Sequence, residues 1–207
     1  MGERPAAVTT CAFIVTRGST PFLPHAVASL RAQTLRPHRA AIVDVSAPDS
    51  PEHLTPEVIA RMTDGVYLIE AAQPTLGAAV TAAVKALGPD DDYLWILHDD
   101  CAPAPDCLEH LTEVMGSDEQ IAITGPKQCR WDDDSHLLEV GIHATAHGRR
   151  LEVCDPGEVD QGQHDRTGDV LAVGSAGMLV DRRVWKALGG FDRSLGPFYD
   201  GWEFGRR

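Results

Sequence analysis

A short apolar run that ends in three polar residues constrains the fold of this chain more than any other feature. The segment Tyr93–Leu97 is apolar over the length of a strand, and His98, Asp99 and Asp100 follow it directly. A run that is apolar on both faces is typical of a buried strand in a parallel sheet. Ligands bind at the carboxyl ends of such strands, and paired carboxylates there attract divalent cations. A solvated acidic turn is the alternative, since aspartate is common in turns.

Strand and helix patterns alternate along the first 125 residues. The strand-like segments are rich in β-branched residues, and the helix-like segments repeat apolar residues at helical spacing. The predicted strands cover 8–16, 40–45, 66–70, 93–97 and 121–124, and the predicted helices cover 26–33, 76–87 and 105–115. This alternation predicts an α/β fold with a mostly parallel central sheet and helices on both faces.

The second half of the sequence is less regular. We predict strands at 137–142 and 170–173, and a helix at 181–188 that begins near Asp181 and ends at Gly189-Gly190. Loops are predicted at 46–56, 132–134 and 155–168, and Gly88-Pro89 is predicted to stop the helix before it. Because no repeat or linker divides the chain, we expect residues 1–207 to form a single domain.

Composition restricts the partners of the chain. There are 31 acidic and 18 basic residues, and the resulting net charge of −13 argues against a nucleic-acid partner, which needs a basic face. The 5 cysteines include no C-x-x-C pair, so we expect free thiols in a reducing compartment and no zinc site. No apolar run reaches about 18 residues, and residues 1–5 lack a signal-peptide core, so a cytoplasmic domain is expected.

Motifs of several other enzyme classes are absent. The sequence has no G-x-x-x-x-G-K-[ST] loop and no G-x-G-x-x-G after its first strand, and the segment 174–177 is one residue short of G-x-S-x-G. His143 and His147 are four residues apart, but glycines interrupt their segment. In an extended segment that spacing separates them by about 13 Å, which disfavours a shared metal.

Five motifs in order along nearly the whole chain resemble those of family 2 glycosyltransferases, which are inverting nucleotide-sugar enzymes. Their GT-A fold is the Rossmann-like fold of nucleotide-diphospho-sugar transferases. The motifs are F-I-V-T at 13–16 with L-x-x-Q-T at 30–34, V-D-V-S at 43–46, L-G-A-A at 76–79, L-H-D-D at 97–100 with P-D-x-L at 105–108, and G-M-L-V-D-R-R-V-W at 177–185 with G-G-F-D at 189–192. The L-H-D-D form and D-Q-G-Q at 160–163 look most like actinobacterial members.

The resemblance implies a nucleotide-sugar-binding half over about 8–125. Thr16 and Arg17 would border the base and ribose, and Asp44 would accept a hydrogen bond from the base. Gly77 would let the backbone approach the nucleotide closely. The alternatives are a turn-forming Asp44, a solvated Arg17 and a helix-entry Gly77.

The same resemblance implies roles for the three polar residues after the fourth strand. Asp100 matches the last acid of the D-x-D motif and would bind Mg²⁺ or Mn²⁺, whereas His98 and Asp99 would border the ribose and diphosphate. His98 stands where the family has its first acid. In an extended segment His98 and Asp100 would share a face, and Asp99 would point away, unless the chain turns there.

An acceptor-side half is implied over about 126–207. The family's catalytic base lies in an E-D-x-D/E block, which corresponds here to the segment 198–204, with Gly201 at the usual position of the base. Asp200 is our first choice for the base and Glu203 the second, although Asp-Gly-Trp-Glu also resembles a capping box that would make Asp200 an N-cap. Trp202 would line the acceptor sugar, or would belong to the core.

The function implied is inverting transfer from a nucleotide-diphosphate sugar, expected to be a UDP-sugar, to a glycan or lipid-linked acceptor in cell-wall or polysaccharide synthesis. Family members continue beyond this block, so we expect a longer protein whose other regions could place the domain at the inner face of the membrane. The alternatives are a non-catalytic nucleotide-sugar-binding domain, with Gly201 as its lesion, and a sugar nucleotidylyltransferase. The second is disfavoured because the segment 16–19 has one glycine where that class has G-x-G-T-R.

Overall fold

The computed structural model describes residues 8–88, 90–151, 153–192, 195 and 199–207, so the expectations that involve residues 1–5, Pro89 and Phe198 lie outside it. The strands are β1 (Thr10–Thr16), β2 (Arg39–Asp44), β3 (Tyr67–Glu70), β4 (Tyr93–His98), β5 (Ile123–Thr124), β6 (Gln128–Cys129), β7 (Leu137–Glu139), β8 (His143–Ala144), β9 (Arg150–Leu151) and β10 (Met178–Asp181). The helices are α1 (Leu23–Arg31), α2 (Pro56–Met62), α3 (Leu76–Leu87), α4 (Cys107–Ser117), α5 (Arg182–Leu188) and α6 (Asp200–Arg206).

Six strands form the central sheet, in the order β3-β2-β1-β4-β10-β5. Strands β3, β2, β1 and β4 are parallel, and their register places Thr16 beside Asp44 and Val15 beside His98. Strand β10 is antiparallel to both β4 and β5. The predicted α/β fold with a mostly parallel sheet is confirmed, and β10 brings a strand from the second half of the chain between two strands of the first.

Each face of the sheet is covered by a separate hydrophobic core. Alternate residues of a strand point to opposite faces, so Phe13 and Ile96 pack with α3, α5 and α6, whereas Ile14 and Trp95 pack with α1, α2 and α4. These four side chains are fully buried. The continuous apolar pattern of β1 and β4 is therefore explained by a sheet with helices on both faces.

Three local predictions differ from the structure. The loop predicted over 46–56 stops one residue early, at Thr55, which caps the unpredicted helix α2 by accepting a hydrogen bond from the Val58 N–H. The predicted strand at 170–173 contributes a single bridge, between Ala172 and Ile142. The predicted strand at 137–142 ends at Glu139, two residues before Gly141, whose φ of 68° does not fit a strand.

The carboxyl ends of the parallel strands lie at one edge of the sheet, and they place the predicted donor-side residues there. Thr16 ends β1, Asp44 ends β2 and His98 ends β4. None of the five cysteines forms a disulfide bond. Within the described part of the chain, no helix is both long and apolar enough to cross a bilayer.

Candidate active site

Asp99 binds the loop that follows β1. Its Oδ2 lies 2.8 Å from Thr16 Oγ1 and 2.7 Å from Thr20 Oγ1. The Thr16 hydroxyl also lies 2.7 Å from the Gly18 carbonyl oxygen, and its single proton can be donated to only one of the two acceptors at a time. These contacts connect the ends of β1 and β4, so Asp99 has a structural task in addition to any contact with a ligand.

The chain turns immediately after His98. The Cys101 N–H donates to the His98 carbonyl oxygen over 3.2 Å, and β4 ends at His98. The extended arrangement, in which His98 and Asp100 would share a face, is therefore not formed. Asp100 is exposed in this turn, and its side chain makes no hydrogen bond or ion pair with the described residues. Its carboxylate is consequently available to a ligand.

His98 contacts the segment that precedes β10. Its Nε2 lies 3.0 Å from Ser175 Oγ, so one of the two groups donates to the other. Burial lowers the pKa of His98, and the negative charges of Asp100 and Asp99 oppose that shift. The imidazole is therefore neutral at pH 7 and joins the end of β4 to residues 77 positions away in the sequence.

Asp44 organises the loop between β2 and α2. Only 1% of the residue is exposed. Its Oδ1 accepts a hydrogen bond from the Ser46 N–H over 2.7 Å, and its Oδ2 accepts one from the Leu54 N–H over 2.8 Å. His53 Nδ1 lies 3.2 Å from Oδ2. The turn-forming alternative is thus realised, and recognition of a nucleotide base by Asp44 stays a prediction.

We expect Asp44→Ala to lower the free energy of unfolding by about 2–4 kcal/mol, because one buried and one partly buried backbone N–H group would lose their acceptors. Asp44→Asn keeps one acceptor oxygen and should cost less. Urea unfolding of the two variants and the wild type measures the difference. Equal stability of Asp44→Ala and wild type would show that the loop is held by other contacts.

Asp200 is a buried carboxyl group in the first turn of α6. It is 4% exposed, and Tyr199, not Asp200, is the N-cap residue, with no side-chain capping hydrogen bond. The pKa of Asp200 is raised from 3.8 to about 6, mainly by burial and also by the nearby charges of Glu203 and Asp192, while a backbone hydrogen bond opposes the rise. A pKa near neutrality suits a general base.

Two glycines allow α6 to pack directly on the segment 171–175. A Cβ atom on Gly201 would overlap the Val173 carbonyl oxygen and would lie 3.1 Å from Ser175 N. A Cβ on Gly205, one turn later, would lie 2.7 Å from the Ala172 Cβ. The absence of a side chain at position 201 is therefore explained by packing. The same contact places the first turn of α6 beside Ser175 and, through Ser175, beside His98.

Glu203 and Trp202 occupy other sides of α6. Glu203 forms an ion pair with Arg207, with 2.6 Å between Oε1 and Nε. Trp202 is half-buried, and the guanidinium of Arg206 lies 5.5 Å from the centre of its ring. Trp202 also lines a cavity of about 310 Å³ together with Tyr199 and the segment 148–150. The Glu203 carboxylate is thus fixed by its ion pair with Arg207, whereas the Asp200 carboxyl group is buried by packing.

The described residues contain no cluster of three or more histidine, cysteine, aspartate or glutamate side chains that could hold a metal ion alone. Asp100 is the exposed carboxylate that follows β4, whereas Asp99 is bound through Oδ2 by two hydroxyls and His98 by Ser175. This arrangement fits a Mg²⁺ or Mn²⁺ ion that takes one protein carboxylate and completes its shell with phosphate oxygens and water.

The sequence matches the family described as "Glycosyltransferase like family 2" over residues 6–207. The chain belongs to this family. No protein of curated function matches it.

Solved structures with similar folds are also glycosyltransferases. They include the mannosyltransferase PcManGT from Pyrobaculum calidifontis in complex with GDP-Man and Mn²⁺ (TM-score 0.62, 15% identity, 97% of this chain and 52% of that chain). They also include GalNAc-T7 with UDP, GalNAc and Mn²⁺ (TM-score 0.69, 14% identity, 97% and 40%) and S. aureus TarS 1-349 (TM-score 0.57, 10% identity, 96% and 54%). This family 2 chain spans about half the length of these structures, and at such low identity the likeness establishes the GT-A fold alone.

The glycosyltransferase fold brings together some of the predicted residues and leaves others apart. Thr16 contacts Asp99, whereas Arg17 is exposed and makes no ion pair within the described residues. Gly77 is buried, and a Cβ there would lie 3.1 Å from the Phe191 Cβ, so the helix-entry alternative is supported by packing. Sequence reasoning missed Thr20 and Ser175. The one hint for Thr20 in the sequence was a second hydroxyl residue four positions after Thr16. The sequence contained no hint that Ser175 would contact His98.

Proposed function

We propose that this domain transfers a sugar, with inversion, from a nucleoside-diphosphate donor to a hydroxyl group of a glycan or lipid-linked acceptor. One observation carries the proposal: an exposed carboxylate and a buried carboxyl of raised pKa flank the same edge of the sheet. Asp100 follows β4, and Asp200 begins the helix that packs on Ser175, the hydrogen-bond partner of His98. Such a pair of acids with different environments suits a metal ligand and a base.

In this reaction the acceptor oxygen forms a bond to the anomeric carbon as the bond from that carbon to the diphosphate breaks. Asp200 Oδ takes the proton from the acceptor hydroxyl. The diphosphate leaves with the electron pair of the broken bond, and Asp100 would hold the divalent cation beside it. When bound, that cation stabilises the negative charge of the departing group as a Lewis acid.

Donor binding is proposed at the ends of β1, β2 and β4. Asp44, Thr16 and Arg17 would border the base and ribose, and His98 and Asp99 would border the diphosphate. We propose a UDP-sugar as the donor. The structures with similar folds hold GDP-Man in one case and UDP in another, so both nucleotides belong in the test.

We expect Asp100→Ala to reduce binding of UDP in the presence of Mn²⁺ to the level measured without metal, because Asp100 is the exposed carboxylate that follows β4. Calorimetric titration of UDP and GDP, with and without Mn²⁺, measures this on wild type and variant. Asp64→Ala is the matched control, since Asp64 is an exposed acid before β3 at the opposite edge of the sheet.

Metal-dependent nucleotide binding that persists in Asp100→Ala would overturn the assignment of Asp100. Tighter binding of GDP than of UDP would replace the proposed donor class without affecting the role of Asp100. Absence of nucleotide binding by the wild type at any metal concentration would overturn the proposed transfer function.

A further inference from the structure

A basic and aromatic pocket lies beside α6, on the acceptor side of the domain. It has a volume of about 310 Å³ and is lined by Gly148, Arg149, Arg150, Tyr199 and Trp202. Small-molecule sites range from about 300 to 1,000 Å³, so this pocket suits one ring-sized group. Two of its lining residues, Tyr199 and Trp202, flank the first turn of α6, the turn that carries Asp200.

The charge of the pocket is opposite to that of the chain. The chain has a net charge of −13. In this region Arg150 is paired with Glu139 over 2.6 Å, and Arg207 is paired with Glu203. Arg149 and Arg206 are exposed, and neither guanidinium forms an ion pair with the described residues. Arg149 and Arg206 therefore remain without a paired carboxylate among the described residues, and with Asp200 ionised the four arginines still exceed the carboxylates Glu139, Asp200 and Glu203 by one charge.

Trp202 supplies a second, independent observation. Its indole Nε1 is buried and has no hydrogen-bond acceptor among the described residues. A buried donor without an acceptor costs free energy, and most such donors in proteins have a partner. An anionic oxygen in the pocket would accept from this donor only after the indole ring turns toward it, because Nε1 is out of contact with solvent. The guanidinium of Arg206 is already placed over the indole ring.

We infer that this pocket binds an anionic group carried by the acceptor, next to a sugar ring that contacts Tyr199 and Trp202. Guanidinium groups bind carboxylate and phosphate through charge-assisted hydrogen bonds, and both groups have this chemistry. The anion is either the carboxylate of an acidic sugar or the phosphate of a sugar phosphate. The inference rests on the proposed function, because it treats the ligand as the acceptor, but its test requires neither donor nor transfer.

The test compares equilibrium binding of glucose, glucuronic acid and glucose 1-phosphate to the whole chain at low ionic strength, without nucleotide or metal. We expect both charged sugars to bind more tightly than glucose, and Arg149→Gln combined with Arg206→Gln to weaken their binding about tenfold or more. Arg36→Gln, which removes an exposed arginine distant from α6, should leave binding unchanged. Since neither Arg149 nor Arg206 forms an ion pair with the part of the chain that the structure describes, the double variant should fold, and circular dichroism checks this.

The three sugars identify the source of the anion: preference for glucuronic acid indicates a carboxylate, and preference for glucose 1-phosphate indicates a phosphate. Equal binding of charged and neutral sugars by the wild type overturns the inference. Loss of charged-sugar binding in Asp100→Ala, with retention in the arginine double variant, overturns it as well, because the ligand would then lie on the donor side. These outcomes do not affect the nucleotide-binding test of Asp100. An experiment that contradicts anion binding by the pocket can therefore be distinguished from one that contradicts the proposed transfer function.

Discussion

Asp200→Asn is expected to lower the rate of sugar transfer by about 10²–10⁴-fold, the usual contribution of a general base. Asparagine has nearly the same shape but cannot accept the proton of the acceptor hydroxyl. In the wild type, kcat/KM should rise with pH and reach half of its maximum at about pH 6, because the pKa of Asp200 is raised to about 6 and the base acts only when ionised. Initial rates between pH 5 and 8 measure both effects.

The same substitution should stabilise the fold above pH 6. In the native state Asp200 stays protonated up to about pH 6, whereas in the unfolded chain it ionises near pH 3.8. The native state therefore binds more protons between these values, and stability decreases as pH rises from about 4 to about 6. A shift of this size corresponds to about 3 kcal/mol. The free energy of unfolding of Asp200→Asn should therefore exceed that of the wild type by up to this amount at pH 7.5, and by little at pH 4.

Glu203→Gln is the matched comparison for Asp200→Asn. Glu203 is paired with Arg207, so its variant should keep both most of the transfer rate and the midpoint near pH 6. If Glu203→Gln loses transfer and Asp200→Asn keeps it, Glu203 is the base. If both variants retain the wild-type rate, the base lies elsewhere. If the wild type itself transfers no sugar, the domain is non-catalytic.

Gly201→Ala is expected to lower the free energy of unfolding by about 1–3 kcal/mol, the usual cost of an overpacked core. The new methyl group would overlap the Val173 carbonyl oxygen, which is backbone and cannot move aside alone. Any relief must displace α6, and with it Asp200, so transfer should fall by about 10²-fold, as for an approximately 1 Å misplacement of a catalytic group. Denaturant unfolding and initial rates measure the two effects.

Gly116→Ala provides the control for Gly201→Ala, because Gly116 also lies in a helix but has no atom within 4 Å of an added Cβ. It should stabilise the chain by about 0.5–1 kcal/mol, the difference in helix propensity. Gly201→Asp, which restores an acid at the family's usual position, should destabilise the fold and not increase transfer. A more active Gly201→Asp would instead identify position 201 as the vacant site of the base.

The sequence predicted the parts of the fold that depend on local patterns. The apolar runs of β1 and β4 and the helical spacing of α3 each specify an element within a dozen residues. Helix α2 was missed because the prolines before it dominate the local pattern, although Thr55-Pro56-Glu57 carries the N-cap, first-position proline and first-turn acid of a helix start. The signals of a helix start were thus present in the sequence, but the loop signal of the prolines outweighed them in the prediction.

The candidate site depended on contacts that a linear pattern does not contain. The exposed position of Asp100 follows from the turn after His98, and the extended pattern of β4 did not indicate where that turn begins. The pairing of His98 with Ser175 and the packing of Gly201 on Val173 join segments far apart in the chain. For this reason the sequence suggested that Gly201 replaces a lost catalytic residue. In the structure, glycine at this position is explained by the close packing of α6 on Val173.

The position of β10 between β4 and β5 has a consequence for synthesis of the protein on the ribosome. One edge of β4 has no partner until residues 178–181 have been made, although its other edge can pair with β1 at once. At 5–20 residues per second this interval lasts roughly ten seconds. During that time the backbone N–H and C=O groups on this edge of an apolar strand are open to other nascent chains, so folding yield should depend on chaperone protection at this stage more than on the stability of the finished domain.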